Sequence, residues 1–326
     1  MSWRVFMNHL GMRSIMVWLL INLNLYCMFE SVRRFSARMS FLSCVGSERL
    51  SSRYEGDHEE IVNHREASGF GASTYKSVLD EINDTGKEGK RVFIKDMASY
   101  LVPPSDHPTF QNANLAPSVS GFSGTLDAKN PTVVPLSTLK KFQFAFLIRD
   151  PRRAVPSYYR CCIPPLNKTT GFKFFMPNEA GYRELRALFE YLLQEKVIKP
   201  PGSKAGDSNT YEVCVIDADD LLDHPKEVVH KFCDMTGIKF CDEMLEWEAN
   251  EGCESFDKWK GFHEDAIGSG GLRPRTTISQ KKIRTREEER QEWLEKYGEE
   301  AVDIIQRTVD ENMKDYEFLR QFRITI

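Results

Sequence analysis

The sequence has no Cys-x-x-Cys pair, no Gly-x-x-x-x-Gly-Lys-Ser/Thr loop, no internal repeat and no strong excess of one charge. It also lacks an uninterrupted apolar run of the ~20 residues that a membrane-spanning helix needs. Each absence narrows the field. Eight cysteines in 326 residues are too few for a disulfide scaffold. The adjacent Cys161 and Cys162 point apart on any regular backbone and make a poor zinc chelate. Reduced, mostly buried thiols and no bound metal are therefore expected. A net charge of −4 removes the basic signature of nucleic-acid binding, so any anion site must be local. Without the lysine-bearing phosphate loop, a nucleotide kinase is disfavoured.

What is present is ordinary for a globular protein: 41% hydrophobic and 28% charged residues, enough to bury a sheet. The first 45 residues are the exception. Residues 15–29 form the longest apolar stretch, interrupted by Asn22 and Asn24 and flanked by Arg13, Arg33, Arg34 and Arg38. A membrane anchor, a signal peptide, a buried first strand and a start foreign to the domain are all readings of it. The last two together are favoured. Residues 1–45 are accordingly set apart as an atypical segment, with 46–326 as one α/β domain and a cytoplasmic location expected.

Periodicity supplies the α/β reading. Residues 92–94, 142–148 and 211–216 are short apolar, β-favouring runs separated by helical patterns, which implies parallel βαβ units in a three-layer sandwich. The patterns predict helices over 57–67, 73–82, 179–197, from Pro225 to a stop at Gly237, and across much of 286–322. Residues 102–135, rich in Pro, Ser and Asn, are predicted as a long loop. In such sheets ligands sit at the carboxyl ends of strands, which directs attention to Lys95, Asp96, Arg149 and Asp217.

The strongest chemical signal is Arg149-Asp150-Pro151-Arg152-Arg153-Ala154-Val155-Pro156-Ser157-Tyr158-Tyr159. Asp150 is a good helix N-cap and Pro151 suits the first helical position, so an apolar strand runs straight into a helix. An arginine at the strand end offers two donors to a phosphate, and a serine two turns into the helix adds another. This pattern resembles the sulfotransferase family, in which an apolar strand ends in Arg, an acidic residue or Asn, Pro, and a Ser eight positions after the Arg. Residues 211–240 are similar to the family's later strand, its acidic turn and the following helix.

The resemblance implies a P-loop NTPase/sulfotransferase-like fold with a central parallel sheet, and a nucleotide donor, 3′-phosphoadenosine 5′-phosphosulfate (PAPS). It implies that Arg149 and Ser157 hold the donor's 3′-phosphate, that Arg273 or Arg275 reaches an anion near the Ser269-Gly270-Gly271 loop, and that the acceptor is a small hydroxylated molecule of specialised metabolism. Two departures stand out. Nothing before Ser47 supplies the family's 5′-phosphate loop. The usual histidine two residues after the lysine of the strand over 91–97 is replaced by Met97, which cannot take a proton. Asp96 is the stand-in base, Lys95 the charge-neutralising group and His263 an alternative base. A catalytically degenerate binding or scaffolding relative is the competing expectation.

Overall fold

The computed structural model describes residues 14–19, 35–39, 75–87, 91–102, 129–204, 210–246, 261–262, 268–275 and 284–326. The predicted helix over 57–67 and most of the predicted loop over 102–135 lie outside these residues. The chain divides into two compact units. One gathers Met1–Leu19, Val32–Phe146 and Glu184–Val213, and the other Leu20–Ser31, Leu147–Arg183 and Cys214–Ile326.

In the first unit, β1 (Ser14–Leu19) and β2 (Phe35–Met39) both pair in parallel with β3 (Arg91–Asp96). Ile15 lies opposite Phe93, and Trp18 opposite Asp96. The start of the apolar run over 15–29 thus lies in a strand. No helix among the described residues is long and apolar enough to cross a membrane. The strand order of the sheet is β2-β3-β1-β4-β7, with β4 at Phe142–Ile148 and β7 at Cys214–Asp217. The chain leaves β1 towards β2 on one side and next returns to this sheet from β4 at β7 on the other, so the neighbouring strands β1 and β4 are left in opposite directions. In open α/β sheets such a reversal is where ligands bind, beyond the carboxyl ends of the strands. Residues 20–34, which follow β1, and with them the expected lack of a phosphate loop, lie outside the described residues.

Helix α1 (Tyr75–Lys87) buries Val78, Leu79 and Ile82, spaced to make one apolar face. All seven residues of β4 are buried, Gln143 among them, as its almost continuous apolar run predicts. Phe146 meets Phe189 of α3 (Tyr182–Gln194) edge to face, with centroids 5.1 Å apart. The predicted strand over 211–216 is instead broken at Val213. Tyr211–Glu212 (β6) pairs with Ile198–Lys199 (β5), and Val213 donates its N–H to Lys199 O at 2.9 Å, before β7 begins. The break lets one continuous apolar segment serve two sheets.

In the second unit, α2 (Pro151–Cys161) starts where Asp150 accepts the Arg152 N–H at 2.9 Å. Helix α4 (Ala218–Asp223) starts at Asp217 in the same manner, and α5 (Pro225–Thr236) ends at Gly237 with φ 67°. The charged C-terminal stretch forms α6 (Arg286–Tyr297), opened by a Thr285–Glu288 capping box, and α7 (Glu299–Arg320), separated by Gly298. Val155 of α2 is buried with Trp293, Val302, Ile305 and Val309, so the two C-terminal helices cover one side of α2. Cys161, Cys162, Cys214 and Cys233 are free and buried, and burial pushes the Cys214 and Cys233 thiols up to about 12. Thiols this protonated at neutral pH are inert packing groups.

Candidate functional site

Strand β4 delivers Arg149 as the first residue past its buried end. Asp150 then caps α2, so strand becomes helix within two residues. The backbone of this turn is pinned from α3: the fully buried Tyr182 donates its hydroxyl to Arg149 O at 2.6 Å. The side chain of Arg149 is left for other work, because among the described residues no hydrogen bond reaches its guanidinium. Burial pushes that guanidinium below its ordinary value. Asp219 works in the opposite direction, while the charges of Arg153 and Arg275 add to the depression.

Those three residues define the surroundings of Arg149. Arg153 Nε lies 3.6 Å from Asp219 Oδ2. Arg275 Nη1 reaches Asp219 Oδ1 at 2.8 Å, its Nη2 reaches Asp219 O at 3.0 Å, and its Nε reaches Asp223 Oδ1 at 2.8 Å. Although burial opposes the charge, the hydrogen bonds it donates to Asp223 and Asp219 hold the Arg275 guanidinium above its ordinary value. The guanidiniums of Arg149, Arg153 and Arg275 thus gather around Asp219 at the start of a helix whose N–H groups also favour anions.

Ser157 follows Arg153 by four residues, one turn along the same face of α2, and both are half-buried. The opposite face, with Ala154, Val155, Tyr158 and Cys161, is buried. Arg275 is held by its loop. Its N–H donates to Leu222 O at 2.9 Å, and Leu272 N–H donates to Leu245 O at 2.8 Å. Gly271, at φ 151°, passes so near this backbone that a Cβ would come within 2.7 Å of Leu245 O.

Arg149, Arg153, Arg275 and Ser157 all belong to the second unit. Arg273 belongs to it too, but is exposed, so the structure draws in the second arginine of Leu272-Arg273-Pro274-Arg275. Lys95 and Asp96 end β3 in the first unit. Asp96 is fully buried, and its Oδ1 accepts the Met97 N–H at 2.8 Å. His263 lies outside the described residues. Asp217, at the end of β7, is a buried cap: its Oδ1 accepts the Asp219 N–H at 3.0 Å and its Oδ2 the Tyr316 hydroxyl at 2.8 Å. Sequence reasoning left out Arg153, Asp219 and Tyr182. The four-residue spacing of Arg153 and Ser157 was a usable signal for the first. Nothing in the local sequence around Tyr182 reveals that its hydroxyl bonds to a residue 33 positions earlier.

No family model matches the chain. It is 26% identical over 286 residues to "Sulfotransferase ppzF" of Metarhizium rileyi, covering 85% of this chain and 82% of that protein. It is also 26% identical over 254 residues to "Sulfotransferase ppzF" of Metarhizium majus, covering 73% and 71%. Among solved structures, the "Sulfotransferase Domain from the Curacin Biosynthetic Pathway" aligns with 92% of this chain and 97% of its own, at a TM-score of 0.41 and 13% identity. By its sequence likeness to the two fungal proteins over most of its length, the chain is a sulfotransferase-like protein.

Proposed function

We propose that the chain transfers a sulfuryl group from PAPS to the hydroxyl of a small acceptor, a reaction of specialised metabolism, with Arg149 and Ser157 holding the donor's 3′-phosphate. The observation that carries this reading is the Arg149 guanidinium. It stands at a strand-to-helix turn, without a hydrogen bond among the described residues, beside the guanidiniums of Arg153 and Arg275. A phosphate dianion suits that environment, since it accepts two donors from one arginine and a third from a serine hydroxyl. Arg273, exposed on the same loop as Arg275, is assigned to the solvent side of the donor.

Donor chemistry supplies a sulfuryl group on a good leaving group. The bond from sulfur to the donor's phosphate oxygen breaks, a bond from the acceptor oxygen to sulfur forms, and the acceptor proton passes to a base. Such transfer depends more on positioning and charge stabilisation than on covalent catalysis. Lys95 is assigned to the charge that builds on the transferred group, and the base to Asp96 or His263. Asp96 stands at the end of β3, where its Oδ1 accepts the Met97 N–H at 2.8 Å.

The test uses the full chain and 3′,5′-ADP, the desulfated donor. At a hundredfold excess over its dissociation constant, a ligand that binds only the native state stabilises it by ~2.7 kcal/mol. The melting temperature should rise with 3′,5′-ADP, and Arg149→Ala should remove that rise. No rise in the wild type would overturn the donor assignment. Transfer of labelled sulfate by Asp96→Asn and His263→Ala then finds the base, as the variant that binds 3′,5′-ADP normally yet fails to turn over.

A further inference from the structure

The cluster around Asp219 holds more than a place for one arginine and one serine. Two guanidiniums from different elements converge on a single carboxylate: Arg275, held at 2.8 Å, and Arg153, at 3.6 Å, beyond hydrogen-bond reach. Arg275 is secured independently of Asp219 Oδ1, through Asp223 at 2.8 Å and its own backbone. Arg153 stands on the half-buried face of α2, one turn before Ser157, and carries an ion pair to Asp219. A phosphate oxygen gripped by Ser157 would lie within reach of an arginine at this spacing, since side chains four residues apart on a helix meet.

We propose that Arg153 is a further phosphate-binding residue, forming a one-turn clamp with Ser157, and that Asp219 is the carboxylate from which an incoming phosphate recruits it. This rests on the donor-site reading above and adds to it a second arginine and a built-in competitor. A carboxylate and a phosphate oxygen present the same chemistry to a guanidinium: an anionic acceptor able to take two N–H donors. The carboxylate carries one negative charge and the phosphate monoester close to two, so exchange favours the phosphate. Asp219 keeps its hydrogen bond to Arg275 throughout, so the exchange releases Arg153 alone. The clamp selects for a nucleotide with a 3′-phosphate and is indifferent to one with only a 5′-phosphate.

Two substitutions on the two sides of one ion pair should act in opposite directions. Calorimetry on the full chain measures binding of 3′,5′-ADP and of 5′-AMP. Arg153→Ala should weaken 3′,5′-ADP about tenfold or more, the scale of one charge-assisted hydrogen bond, and leave 5′-AMP unchanged. Asp219→Asn keeps an oxygen for Arg275 but removes the competing charge, and should tighten 3′,5′-ADP severalfold. Arg153→Lys should restore part of the affinity, and melting without ligand identifies a variant that has merely lost its fold. If the wild type binds 3′,5′-ADP and Arg149→Ala abolishes binding, the donor-site reading stands. Should Arg153→Ala then bind as the wild type does, or Asp219→Asn bind more weakly, the clamp is refuted. If the wild type does not bind, the reading beneath it fails first.

Discussion

Replacing Tyr316 by Phe removes one hydroxyl and nothing else, and its cost follows from the geometry at Asp217. The Asp217 side chain is 2% exposed, so its carboxylate cannot turn to water for a lost partner. Oδ1 is taken by the Asp219 N–H, and Oδ2 accepts the Tyr316 hydroxyl at 2.8 Å, with Arg320 Nε at 3.4 Å as its remaining partner. A hydrogen bond to a charged group is worth about 1.5–3 kcal/mol, and Arg320 offsets part of that. The expected loss is about 1–2 kcal/mol. Unfolding in urea at pH 7 measures it, as a lower midpoint with an unchanged slope. Burial pushes the Asp217 carboxyl above the ordinary carboxylate range, against the hydrogen bonds that favour its charged form. A protonated carboxyl depends less on the phenol, so the deficit should narrow as pH falls through that raised pKa. A loss below about 0.5 kcal/mol at neutral pH, the scatter of ordinary surface changes, would refute the claim that this hydroxyl carries the buried charge.

Three further outcomes follow from neighbouring contacts. Gly271→Ala places a Cβ 2.7 Å from Leu245 O at a backbone angle that side chains avoid. It should destabilise by about 1–3 kcal/mol and weaken 3′,5′-ADP binding by loosening the Arg275 loop, as melting and calorimetry would show. Burial holds the phenols of Tyr182 and Tyr316 above their ordinary range. Above about pH 10 the unfolded chain releases both protons while the folded chain keeps them, so stability falls as pH rises. The Tyr182→Phe, Tyr316→Phe double variant should lose less over pH 9–11 in urea titrations. Arg290, paired with Asp303 at 2.9 Å, is 51% exposed, so Arg290→Ala should change stability by at most about 1 kcal/mol.

Local rules made much of the fold legible. Asp150-Pro151 announces the start of α2, Pro225 and Gly237 bracket α5, and the almost continuous apolar run from Phe142 to Ile148 reads as a strand buried on both faces. These signals work because the cap, the ring and the apolar run act within a few residues. The break at Val213 was not legible, because only pairing with Ile198–Lys199 decides it. The same holds at the site. The sequence singles out Arg149 and Ser157 because strand and helix fix their spacing. It does not separate Arg273 from Arg275, since both are arginines in a loop rich in small and polar residues. What separates them is Asp219 and Asp223, 56 and 52 positions away from Arg275.

That distance bears on how the site is built. Arg149 is positioned by β4 and by Tyr182, Arg153 and Ser157 by α2, and Arg275 by carboxylates on α4. The cap that starts α4 is Asp217, whose other oxygen is held by Tyr316 on α7. A chain of hydrogen bonds therefore runs from the C-terminal helix through Tyr316, Asp217 and Asp219 to Arg275. If that chain sets where Arg275 stands, Tyr316→Phe should weaken 3′,5′-ADP binding severalfold under conditions where the protein remains fully folded. Tyr297→Phe, which loses a 3.3 Å bond to Pro156 O elsewhere on α2, should not. Equal nucleotide affinity in the two variants would show that α7 supports the fold without tuning the anion site.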